Sequence, residues 1–136
     1  MKNEIKDEQL DKKLTELDPP YESKEELMIG RLLDQYGIPF FYRQPTIVYN
    51  QGRNEILKPT FTLLSYGGLV IDYVPDTGND LSNQIDIRKQ IYHYNQIPAT
   101  VLGPPDLDKP NWQKTLYDKL TQEKRQLREV PFYKGF

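Results

Sequence analysis

Asp72 has the strongest claim to chemistry in this chain. It closes the apolar run Leu69-Val70-Ile71 and is followed by Tyr73-Val74. A carboxylate inside an apolar strand costs several kcal/mol unless it is paired or bound to a cation. Unless the residue sits at the frayed end of its strand, two kinds of partner are available. One is a hard metal ion. The other is a side chain from Arg88 or Lys89, which sit with His93 on a predicted helix. Lys89 and His93 are four residues apart and share a helix face. They and Arg88 could meet a phosphate, or could form an ordinary solvated face. The chain has no cysteine and one histidine. Thiolate and multi-histidine metal sites are therefore excluded, and any metal would be an oxygen-ligated ion such as Mg²⁺ or Mn²⁺.

The elements that must position these residues can be read in order. Residues 1–20 are a charged leader, partly helical or disordered, closed by Pro19-Pro20. Ser23-Lys24-Glu25-Glu26 has the form of a capping box, with Glu26 reaching back to the Ser23 amide. It opens a helix over about 24–36, packed through Met28, Ile29, Leu32, Leu33 and Tyr36 and stopped by Gly37. Strands are predicted over 40–43, 46–50, 55–64 and 69–74. Pro59 marks an edge or bend in the third, and Gly67-Gly68 gives a hairpin between the third and fourth. A helix over 82–94 should pack through Ile85, Ile87, Ile91 and Tyr94. A short strand over 99–102 and a last helix over about 110–128 follow. Residues 129–136 form an aromatic tail.

Length and charge bound the rest. The 136 residues suit one domain, here 21–128. Net charge is −2, and all of it lies in the first twenty residues; the remainder carries 14 basic and 14 acidic side chains. A duplex-DNA binder usually has a basic excess, which this chain lacks. No apolar run approaches the length of a membrane span, and residues 1–18 lack the core of a signal peptide. A cytoplasmic protein with no membrane partner is expected.

The order α-β-β-β-β-α-β-α, with Pro59-Thr60 in one strand and Asp72-Tyr73-Val74 in the next, resembles the PD-(D/E)XK nuclease superfamily. The likeness covers about 21–120. It implies a restriction endonuclease-like α/β fold, a mixed sheet of four or five strands flanked by helices. It also implies roles. Glu26 stands where the first helix carries an acid, and Glu26 and Asp72 would be the metal ligands. Asp86-Ile87-Arg88-Lys89 matches the polar helix ahead of a tyrosine, Tyr92 or Tyr94. Two positions depart from the pattern. Thr60 replaces the family aspartate, and Val74 replaces the lysine that positions water. Lys89 would be the relocated catalytic lysine of a working site.

Three functions follow as expectations. The first is a nuclease-like domain with a degraded site, binding nucleic acid or protein and needing no cofactor. The second is a Mg²⁺- or Mn²⁺-dependent endonuclease using Glu26, Asp72 and Lys89. The third is an assembly protein, for example a homodimer, without a nucleic-acid role. The exposed side of the Phe40-Phe41-Tyr42 strand could serve a partner.

Overall fold

The computed structural model describes residues 18–128, with side chains to residue 123. The leader up to residue 17 and the tail 129–136 lie outside the described residues. Helix α1 (Lys24–Gln35) starts at Ser23, whose hydroxyl accepts the Glu26 amide. It buries Ile29, Leu32 and Leu33. Tyr36, expected on the same stripe, instead caps the helix at the surface and stacks on Tyr117, with ring centroids 4.3 Å apart.

Six strands follow: β1 (Phe41–Tyr42), β2 (Thr46–Asn50), β3 (Arg53–Leu57), β4 (Phe61–Leu63), β5 (Leu69–Tyr73) and, after helix α2 (Leu81–Tyr94), β6 (Ala99–Leu102). They form two sheets. The larger has the order β1-β4-β5-β6, and the smaller is the ribbon β2-β3. β1, β4 and β5 pair antiparallel, whereas β5 and β6 pair parallel across the α2 crossover. The expected mixed α/β sheet is therefore present. The short helix α3 (Pro104–Leu107) and the long α4 (Trp112–Arg128) complete the described residues.

The expected single strand over 55–64 is two strands in two sheets. Pro59 has no amide hydrogen and sits in the break. The chain turns there, and the Thr60 carbonyl accepts the Arg43 amide as it enters the large sheet. The ribbon itself closes on a two-residue turn, Gln51-Gly52, with φ values of 50° and 85°. Two positive φ values are the signature of the hairpin turn whose twist matches the strands.

Alternation along β5 divides the core. Leu69, Ile71 and Tyr73 pack with Phe61, Leu63, α1 and the Trp112, Leu116 and Leu120 face of α4. Val70 and Val74 pack on the other side with Tyr92 and Val101. Helix α2 is set on that second side by Leu81, Ile85 and Tyr92. This corrects the sequence reading of α2: Ile87 and Tyr94 are exposed, and Tyr92 is the buried member.

Candidate functional site

Asp72 is 2 % exposed and lies on the α2 side of β5. Three side chains donate to its carboxylate. Thr60 Oγ1 reaches Oδ1 at 3.3 Å, and Arg88 Nη1 and Tyr92 Oη reach Oδ2 at 2.8 and 2.6 Å. Thr60 is wholly buried, and its hydroxyl also accepts the Tyr73 amide at 3.0 Å. The β-branched threonine thus joins two strands through one oxygen. Arg88 and Tyr92 are four apart on α2, so one helix face presents both. Burial, then the Asp72 charge beside it, pushes the Tyr92 phenol far above its usual pKa. The phenol stays protonated and keeps donating.

The other predicted residues fall elsewhere. Val74 shares the Asp72 face but is buried in the small apolar cluster, where it brings no charge. Lys89 and His93 are exposed and line a cleft of about 480 Å³ against Ile97, Pro98, Ala99 and Glu123. Glu26 is 3 % exposed, but on the α1 side of the sheet. It does not complete the capping box. Its carboxylate instead accepts Tyr42 Oη at 2.6 Å and Arg43 Nη2 at 2.9 Å. Arg43 also reaches Glu22 at 3.0 Å and holds a positive φ of 56°. That conformation is strained for a non-glycine residue; the Arg43 amide bonds the Thr60 carbonyl at 3.1 Å while its side chain holds the two acids. Burial raises the Tyr42 pKa, with the Glu26 hydrogen bond adding to it.

Glu26 and Asp72 therefore stand on opposite faces, each with its own arginine. Among the described residues no three His, Asp or Glu side chains converge. The Asp72 oxygens already receive a hydroxyl, a phenol and a guanidinium, and Arg88 holds the place a cation would take. This donor set does not fit Mg²⁺ or Mn²⁺.

One surface was not anticipated. The outer face of the ribbon exposes Ile47 (73 %) and Ile56 (66 %), which stand directly opposite each other. Tyr49 continues that face and stacks on Tyr94 of α2, with centroids 6.0 Å apart and planes 23° apart. Asn95, which caps α2, clips the ribbon in place: its Nδ2 donates to the Tyr49 carbonyl at 3.0 Å and its Oδ1 accepts the Tyr49 amide at 2.8 Å. A cleft of about 550 Å³ lies between the ribbon turn and α2, lined by residues including Tyr49, Asn50, Gln90, His93 and Tyr94. The sequence signal was there, because Ile47 and Tyr49 alternate with buried Val48. Only the separate ribbon shows which side faces out.

No protein family, curated protein or solved structure matches the chain. Among the described residues no helix is long and apolar enough to cross a membrane.

Proposed function

We propose that the chain is a non-catalytic binding module on a nuclease-like scaffold, with a protein as its partner. The observation that carries this reading is the closed Asp72 cluster. A catalytic carboxylate must keep lone pairs free for a metal or a proton, and Asp72 commits three of its roughly four lone-pair positions to Thr60, Arg88 and Tyr92, both of those on Oδ2 included. The nuclease-like scaffold is supported by the order of parts: Thr60, immediately before β4, faces Asp72 on the adjoining antiparallel β5, and a helix carrying Arg88 and Tyr92 follows. A protein partner is supported by the ribbon face. Ile47, Ile56, Tyr49 and Tyr94 form an apolar, aromatic surface, the composition that protein interfaces favour at their centres.

Titration of Mn²⁺ and Mg²⁺ into the wild type and Asp72→Asn, followed by heat and melting temperature, tests the non-catalytic half. No saturable binding to either protein is expected. Saturable binding that disappears in Asp72→Asn would overturn it.

A nucleic-acid partner is the second reading, favoured by the stacked Tyr49–Tyr94 pair beside His93. Stacking platforms of this kind bind single strands. This reading expects a single-stranded oligonucleotide to bind, more weakly at high salt and in Tyr94→Ala. Absence of binding at low salt leaves the protein reading standing.

A further inference from the structure

A third, smaller cavity lies on the other side of the sheet, between β6, α3 and α4. Its volume is about 100 Å³. Thr100 lines it from β6, is wholly buried, and its hydroxyl has no hydrogen-bond partner. A buried polar group without a partner is costly and uncommon in native proteins. The walls are apolar: Leu102, Leu107, Trp112 and Leu116. The rim carries Lys109 and Lys119, both exposed, and neither forms an ion pair among the described residues. Asp106, the one acid on the rim, already accepts the Gly103 amide at 2.9 Å. The cavity thus has a cationic mouth, an apolar middle and a hydroxyl that both donates and accepts.

We propose that this cavity binds a short hydroxy- or oxo-carboxylate of about four carbons. The carboxylate would meet the two ammonium groups, the carbon chain would lie against the leucines and Trp112, and the far oxygen would satisfy Thr100. One water in the liquid takes up about 30 Å³, so the cavity of about 100 Å³ accommodates about three waters, or the inner part of a small ligand whose carboxylate stands at the open rim. The site is independent of the ribbon face and of the Asp72 cluster, which lies on the opposite side of the sheet.

Trp112 is the only tryptophan in the chain, so its fluorescence reports occupancy of this cavity. The full chain is titrated with 4-hydroxybutyrate, butyrate and 4-hydroxybutyramide at matched ionic strength. Saturable binding of 4-hydroxybutyrate is expected, with a Kd on the order of 1 mM for so small a ligand. Butyrate should bind about five- to tenfold more weakly, by the worth of one hydrogen bond. The neutral amide should bind at least about tenfold more weakly, because it loses the charge-assisted contact with the lysines. In Thr100→Val the preference for the hydroxy acid over butyrate should vanish, since only that pair of groups has been uncoupled. In Lys109→Met with Lys119→Met, both carboxylates should weaken while the hydroxyl preference remains. These rim positions are exposed, so this variant decides the matter even if Thr100→Val does not fold. The proposal is overturned if no probe gives a saturable change, if the amide binds as tightly as the acid, if the hydroxyl preference survives in Thr100→Val, or if the double lysine variant binds carboxylates unchanged.

Discussion

Arg88 is the countercharge on which the buried Asp72 depends. Replacing it with methionine keeps the stem and removes the charge, which strands a carboxylate that is 3 % exposed. Loss of one partner of a buried pair costs about 3–5 kcal/mol. Arg88 is 39 % exposed, so water can reach the gap and about 2–3 kcal/mol is expected. Urea denaturation measures it, and Arg88→Met combined with Asp72→Asn should cost less than the two single changes together. Tyr92 sets a second expectation. Its pKa is raised in the folded state, so the stability it contributes is fully present below its unfolded value of about 10 and is lost as pH rises beyond it. Tyr73, pushed up to about 12 by burial, acts in the same direction. Tyr92→Phe should therefore flatten the alkaline loss of stability by about 1.4 kcal/mol per pH unit above pH 10, read by denaturation in a pH series. Asp72 was legible from sequence because an acid in an apolar strand demands a partner. Which partner it takes was not legible. Arg88 and Lys89 are adjacent, and the rotation of α2 that selects between them is fixed by Ile85 and Tyr92 packing on the sheet. The same limit hid the fate of Glu26, whose capping-box spacing was right while its carboxylate answered to Arg43, seventeen residues away.

Element boundaries were largely readable where local chemistry marks them. Ser23 opens α1, the Ala99–Leu102 strand stands where expected, and the long last helix begins at Trp112. The break at Pro59 was visible as an irregularity, but the sequence alone does not say that the chain changes sheets there. The ribbon has two strands, and an isolated pair of that kind is only marginally stable in water. Its anchorage comes from buried Val48 and from the Asn95 clip onto Tyr49. Asn95→Ala removes both clip bonds and the one from Asn95 to the Ile91 carbonyl. Amides of β2 and β3 should then exchange with solvent faster, while those of β4 and β5 keep their protection. Equal acceleration in both sheets would show that the ribbon is not held separately.

At the scale of the whole molecule, one sheet separates two chemistries. Its α1 and α4 side carries the larger core and the Thr100 cavity, and its α2 side carries Asp72 and, beside α2, the ribbon. The ribbon leaves and rejoins the sheet at adjacent places: Tyr42 pairs with Phe61, and the Arg43 amide bonds the Thr60 carbonyl. The chain between those two points is thus a cassette whose ends already touch. It can lengthen or shorten at the Gln51-Gly52 turn while β1 and β4 stay paired, provided that Val48 and Leu57, which pack into the fold, remain apolar. The exposed positions Ile47, Tyr49 and Ile56 can therefore be rewritten together as one surface, with the sheet as an unchanged chassis.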